Sequence, residues 1–243
     1  MRVACLAFIL WAACAQAEVL YRLPWPEGLS FMFTQVPDGR ITTHFTKATL
    51  NAIDITMPVG TPVLAARAGV VEALEAGHRS GPEDEALTYE GNFVRVRHED
   101  GTAATYAHLA PHEIAVAVGE HVQAGQLLAY SGASGEASQP HLHFVVTRIQ
   151  KNAAGWPEEI SVPAQFYVGE PPVPFAPRAA LTAKAQYAGP APAPRAPSDW
   201  QPLVSWKPAV LGPWAQAGAW ALLAACFAGG IAGIAWFWRF SRK

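Results

Sequence analysis

Two histidines placed two residues apart, His141 and His143, stand in the run Gln139-Pro140-His141-Leu142-His143-Phe144-Val145-Val146. The apolar and β-branched residues of that run predict a strand, in which successive side chains point to opposite faces. His141 and His143 therefore share one face, while Leu142, Phe144 and Val146 take the other and can enter a core. Two imidazoles on one face can ligate a metal or move protons, or they can be polar residues on a solvated surface. The remaining ligand-type residues decide between these. Asp54 sits inside the apolar run Ala52-Ile53-Asp54-Ile55, which is expected in the core. A carboxylate buried there costs several kcal/mol unless a charge or a metal compensates it. Ten positions earlier stands His44, the only histidine upstream of Asp54, in a polar Thr42-Thr43-His44 turn. His44, Asp54 and one histidine of the pair would form a two-histidine, one-carboxylate set. Three protein ligands with a fourth position open is how zinc is held for catalysis, whereas closed structural zinc sites draw on cysteine. A further histidine, His108, ends the run Tyr106-Ala107-His108-Leu109, where alternation predicts that Tyr106 and His108 share a face. Alone it reads as a surface histidine; beside a metal set it reads as part of a site.

The elements that must position these groups are short. From Ile41 onward, apolar runs alternate with turn residues and no long window carries a helical period, so an all-β domain is expected. Strands are predicted over 51–56, 62–66, 69–73, 92–98, 103–109, 126–131 and 141–147, with Glu99-Asp100-Gly101 joining two of them as a hairpin. Residues 18–40, with Trp25, Phe31 and Phe33 among prolines and glycines, read as an N-terminal segment with one strand. Gly77 to Gly91 is polar and punctuated by glycine and proline, a surface loop of a length that often shapes access to a site. No internal repeat is visible.

Taken together, the motifs resemble the lysostaphin/LytM-type zinc endopeptidases, which cut peptide crosslinks in bacterial peptidoglycan. The resemblance covers about residues 41 to 150. It is carried by His44 with Asn51-Ala52-Ile53-Asp54-Ile55, by Pro58-Val59-Gly60-Thr61-Pro62-Val63 with Ala65-Ala66 and Gly69-Val70-Val71, and by Gly91-Asn92-Phe93-Val94 with His98, Asp100 and Gly101. Tyr106-Ala107-His108-Leu109, Val118-Gly119 with Val122 and Gly125, and Ser131-Gly132 leading into Pro140-His141-Leu142-His143-Phe144 complete it. The resemblance implies an antiparallel sheet with an open groove, related to the duplicated hybrid motif. It also implies one zinc per chain held by His44, Asp54 and His143, with His108 and His141 as catalytic histidines that do not ligate. Peptidoglycan stem or crosslink peptides are the implied substrate. One departure stands out: many members place three residues between the first histidine and the aspartate, and here there are nine.

Two other readings compete. Members of this family that lose ligands act as regulators, docking on the wall or on another wall hydrolase without cutting; here all five positions are present. Val118-Gly119-Glu120-His121-Val122-Gln123-Ala124-Gly125-Gln126 is similar to the hinge of biotinyl or lipoyl carrier domains but lacks the modifiable lysine. His78, His98, His112 and His121 fall at loop or turn positions and read as surface residues.

The flanks predict location. Residues 1–17 have a charged start at Arg2, an apolar run and Ala15-Gln16-Ala17, the form of a secretory signal. Cys14 suggests a lipoprotein alternative, against which Trp11 stands where a small aliphatic is preferred. Residues 214–238 are 25 positions without a formal charge, about 37 Å as a helix and enough to cross a bilayer core. With Trp214, Trp220, Trp236 and Trp238 near its ends and Arg239, Arg242 and Lys243 behind it, this predicts a single transmembrane helix followed by a basic cytoplasmic tail, residues 239–243. The bulk of the chain would then lie outside the cytoplasm on the plasma (inner) membrane. Residues 171–213 contain 11 prolines and read as a linker, with 41–170 as the peptidase domain between it and the N-terminal segment. Cys5, Cys14 and Cys226 all fall in the flanking apolar segments, so no disulfide is expected in the domain. Of 17 basic residues only 13 lie within 18–213, against all 19 acidic ones, a net charge of −6 that disfavours nucleic acid as a partner.

Overall fold

The structure is a computed structural model and describes residues 19–37, 39–40, 42–78 and 91–187. The expected signal, most of the 77–91 loop, the later linker, the membrane helix and the basic tail lie outside the described residues. Among the described residues no helix is long and apolar enough to cross a membrane.

Fifteen strands make up the described part: β1 (Leu20–Arg22), β2 (Ser30–Gln35), β3 (Ile53–Thr56), β4 (Pro62–Leu64), β5 (Gly69–Glu75), β6 (Phe93–Arg97), β7 (Ala103–Ala107) and β8 (Leu109–Ile114). They continue as β9 (His121–Val122), β10 (Leu127–Ser131), β11 (His141–Lys151), β12 (Pro157–Val162), β13 (Gln165–Val168), β14 (Val173–Phe175) and β15 (Thr182–Lys184). Nine of them form one sheet in the order β15-β2-β3-β11-β7-β6-β5-β9, with β12 added along β11. Two three-stranded sheets, β1-β13-β14 and β4-β10-β8, accompany it. The all-β expectation holds for the described residues, and each of the seven runs read as strands overlaps one, with β5 and β11 running on past the expected ends.

The central ladder explains why the two faces of β11 differ. β11 pairs antiparallel with β3, setting Leu142 opposite Ile55, His143 opposite Asp54 and Phe144 opposite Ile53. On its other edge it pairs with β7, setting His143 opposite Ala107 and Phe144 opposite Tyr106. Residues directly opposite share a face. One face therefore carries Leu142, Phe144, Ile53, Ile55 and Tyr106, all fully buried. Aromatic edges lock that face to neighbouring sheets: Phe144 lies 5.3 Å from Tyr106, 5.4 Å from Phe166 of β13 and 6.0 Å from Tyr21 of β1. Burying one such side chain stabilises the fold by about 1.5–3 kcal/mol. The other face carries His143, Asp54 and His141.

The predicted hairpin joins β6 to β7. Gly101 takes a positive φ of 79°, and the Asp100 carboxylate accepts the Thr102 N–H and hydroxyl at 3.0 and 2.7 Å. Two expectations are corrected. The stretch from 171 is not linker throughout: β14 and β15 pair into sheets, and Tyr187 is buried with its hydroxyl accepting the Leu23 N–H and donating to the Tyr167 carbonyl. Proline is compatible with these short strands at sheet edges, where a missing N–H costs nothing. The N-terminal segment contributes two strands, β1 and β2, and buries Trp25 and Phe33 completely.

Candidate metal centre and its histidines

Asp54 is the hub of the site. Its Oδ1 lies 3.0 Å from His143 Nδ1, 3.3 Å from His44 Nε2 and 3.7 Å from His141 Nε2. His44 and Asp54 are buried, at 7% and 3% exposure. Asp54 does not enter the apolar core as its flanking residues do; strand alternation turns it to the opposite face, where the imidazoles enclose it. Burial alone would raise its pKa, but hydrogen bonding from His143 and His44, with the charge of the nearby imidazoles, holds it well below the ordinary carboxylate range.

The donor atoms of His44, Asp54 and His143 lie within 4.8 Å of one another. Two nitrogens and a carboxylate oxygen converging on one point, with no sulfur, is a donor set that suits zinc in an open site. The residues present fit the ion. Asp54 and His143 owe their meeting to strand register, since they are direct partners across β3 and β11. His44 arrives from a loop, and its ring stands edge-on to that of His143, with centroids 4.9 Å apart.

His108 reaches the same face by a different device. In register, Ala107 is the residue of β7 that shares the face of His143, and Tyr106 points to the core, where its hydroxyl accepts the Ala66 N–H at 2.7 Å. Tyr106 and His108 therefore do not share a face. His108 takes a positive φ of 62°, which ends the strand and turns the imidazole. That conformation costs a non-glycine residue about 1–3 kcal/mol and persists only where the surroundings impose it. Here Gly132 donates its N–H to the His108 carbonyl at 2.9 Å, and Leu109 donates to the Asn92 carbonyl. A Cβ on Gly132 would meet the Ala110 nitrogen at 2.6 Å, so only glycine fits there.

The Ser134 carbonyl accepts from His108 Nδ1 at 2.7 Å, and the Gln139 carbonyl lies 2.8 Å from His141 Nδ1. A carbonyl can only accept, so both rings carry a proton on Nδ1 and turn Nε2 away from it. The two rings are neighbours, with centroids 4.5 Å apart. Burial lowers the pKa of His108 to about 4, with the nearby His141 acting in the same direction. His108 is thus neutral at pH 7.

All five residues singled out in the sequence come together. Three others escaped the sequence reading. Asn92 is fully buried and donates to the Leu109 and His78 carbonyls at 3.1 and 2.8 Å; its N–H donates to Ser134 Oγ at 2.9 Å. Ser134 Oγ donates in turn to the Leu109 carbonyl. Ser161 binds the loop behind His44. The Gly91-Asn92 and Ser131-Gly132 motifs were the available signal for the first two. His98 also differs from expectation. His112 and His121 are exposed and His78 is partly buried, but His98 is 1% exposed. Its Nδ1 lies 2.9 Å from the Ala68 carbonyl and its ring stands 5.7 Å from Tyr21, because β1 covers the hairpin base.

Known proteins are similar to part of this chain. Residues 48–154 match the model of peptidase family M23; the match begins after His44 and contains Asp54, His108, His141 and His143. The peptidoglycan DD-endopeptidase ShyC of Vibrio cholerae is 33% identical over 135 residues, covering 54% of this chain and 26% of ShyC. Lysostaphin of Staphylococcus simulans is 35% identical over 94 residues, 38% of this chain and 17% of lysostaphin. The chain thus spans about a quarter or less of the curated relatives it matches. Among solved structures, the catalytic domain of the prophage-encoded M23 protein EnpA from Enterococcus faecalis aligns with TM-score 0.41 and 25% identity, over 58% of this chain and 94% of that one. Over residues 48–154 the chain is thus similar to peptidase family M23.

Proposed function

We propose that the chain is a zinc-dependent endopeptidase that hydrolyses peptide bonds in peptidoglycan stem or crosslink peptides. The observation that carries this reading is the convergence of His44, Asp54 and His143 on one point, with the imidazoles of His108 and His141 alongside. The DD-endopeptidase relatives support the substrate class.

His44, Asp54 and His143 would hold the metal. Bound there, zinc supplies Lewis acidity that polarises a carbonyl and makes water acidic enough to attack near pH 7. The chain's own residues do the rest. Hydrolysis adds water across the amide: a C–O bond forms, the C–N bond breaks, and a proton passes from the water to the departing amine. His108 and His141 present their Nε2 atoms for that proton, and their Nδ1–H bonds to the Ser134 and Gln139 carbonyls keep those atoms aimed. Because burial keeps His108 neutral, it is ready to accept at pH 7. Once protonated, either ring is a donor able to steady developing negative charge.

We extend the proposal to location: residues 214–238 anchor the chain in the membrane with the peptidase domain on its outer side, supported by the uncharged run and the basic residues behind it. Membrane fractionation with protease accessibility tests this part. Activity is tested by incubating the purified full-length chain with peptidoglycan, with and without a zinc chelator, and following new amino termini. Chelator-sensitive release supports an endopeptidase. Zinc binding without release refutes it in favour of a regulator that binds the wall.

A further inference from the structure

Nine residues separate His44 from Asp54, and a flexible loop of that length would leave the direction of its first residue unfixed. Ala52 and Ile53 are buried where the span runs into β3, but Phe45 and Leu50 are 76% and 54% exposed, so burial does not anchor the stretch from 45 to 50. Polar contacts with β12 do. Ser161, buried at 7%, donates both its N–H and its hydroxyl to the Lys47 carbonyl, at 2.7 and 2.9 Å. The same hydroxyl oxygen accepts from the Asn51 N–H at 3.0 Å, and Asn51 Nδ2 donates to the Ser161 carbonyl at 3.1 Å. The loop also closes on itself across Lys47: Thr49 and Leu50 donate their N–H groups to the Thr46 carbonyl. One serine thus grips the loop both within its turn, at Lys47, and just after it, at Asn51. From Lys47 a short arm leads back to His44, and from Asn51 the chain passes through Ala52, whose N–H donates to the Thr49 carbonyl, into the β3 ladder that holds Asp54. Upstream, Gln35 of β2 accepts the Thr43 N–H at 2.7 Å and holds the other side of His44.

We infer that Ser161 is a positioning residue of the metal centre: by binding Lys47 and Asn51 it sets where His44 meets Asp54. This rests on the zinc reading above. It accounts for how a long span between two ligands still presents them at 3.3 Å. Ser161 lies on the strand that pairs with β11, opposite Thr147. The loop carrying the first ligand is therefore referenced to the same strand that carries His143.

The test uses the full-length chain and measures zinc affinity by competition with a chromophoric chelator, together with the melting temperature of the metal-free protein. Parent, Ser161→Ala, Asn51→Ala and the double variant are compared, with Tyr187→Phe as a control that weakens the fold far from the site. Ser161→Ala is expected to weaken zinc binding about 10- to 100-fold, the range for groups that orient a metal ligand. Asn51→Ala should weaken it less, and the double variant should fall short of the product of the two, because both act through one contact. Tyr187→Phe should lower the melting temperature and leave zinc affinity alone. If the parent binds zinc and Ser161→Ala binds it equally well, or loses affinity only in proportion to melting temperature as the control does, Ser161 is merely structural and the inference falls. Should Ser161→Ala fail to fold, Asn51→Ala decides, and unchanged affinity there overturns it. A parent that binds no zinc overturns the metallopeptidase reading itself, and this inference with it.

Discussion

Asp54 and His143 meet because two strands are in register; His44 and His108 meet them because loops are forced into place. The first pair is fixed by the β3–β11 ladder, with Ile53 and Phe144 as the next partners along it. Any sequence that folds the core correctly also sets that pair. The second pair depends on local devices: the Ser161 contacts behind His44, and the positive φ of His108 held by Gly132 and Ser134. Core packing thus specifies half of the site, and polar contacts at its edge specify the other half.

That contrast can be broken first at its centre. Asp54→Ala should abolish stoichiometric zinc binding, since it removes the oxygen around which the imidazoles gather; metal analysis of the purified variant checks it. His108→Ala should retain zinc and lose about 10²- to 10⁴-fold in turnover, the range for a general acid or base. Equal zinc loss in both variants would erase the division between ligands and proton-handling histidines.

The core half is probed from the opposite face of β11. Phe144→Ala should destabilise the protein by about 3–5 kcal/mol, as removal of a fully buried aromatic does. Denaturant unfolding measures this, and zinc affinity should fall with it if register and packing are coupled as described.

The polar half responds to acid. Folding lowers His108 from 6.5 to about 4, and burial lowers His98 as well. Between those pH values the unfolded chain binds more protons than the folded one, so stability is full above about pH 6.5 and falls as the pH drops toward 4. The depressed Asp54 continues the loss below about pH 4. Melting temperatures of metal-free protein across this range should show the slope, and His108→Ala should flatten part of it.

The smallest effect concerns the periphery. Tyr187→Phe removes a hydroxyl that accepts the Leu23 N–H and donates to the Tyr167 carbonyl, and should cost about 1–3 kcal/mol, read as a melting temperature a few degrees lower.

The sequence was most legible where one strand's alternation decided the outcome. His141, His143 and the apolar residues between them could be assigned to faces without knowing the fold, and the seven central strands could be located. It was least legible where a distant partner decides. Ser161 lies 110 positions from Asn51 in an unremarkable Glu-Ile-Ser-Val run. β14 and β15 lie in a proline-rich stretch whose composition outweighs their short pairings. His98 was read from its place beside a turn, yet β1 folds over it. The face of His108 was misassigned for a single reason: alternation assumes an unbroken strand, and a left-handed backbone at residue 108 breaks it.

The register of β3 and β11 also governs how this chain can change length. One residue inserted into or deleted from either strand between Ile53 and Thr56 or between His141 and Phe144 would send Asp54 or His143 into the core and bring Phe144 or Ile55 out, because side chains alternate with a period of two. The segment from Phe45 to Leu50 is under no such constraint. It is closed by its own turn and gripped at Lys47 and, just after it, at Asn51, so residues can be added at its exposed tip while those two contacts hold. Insertions and deletions are thus excluded within a few positions of one ligand and tolerated within a few positions of the next.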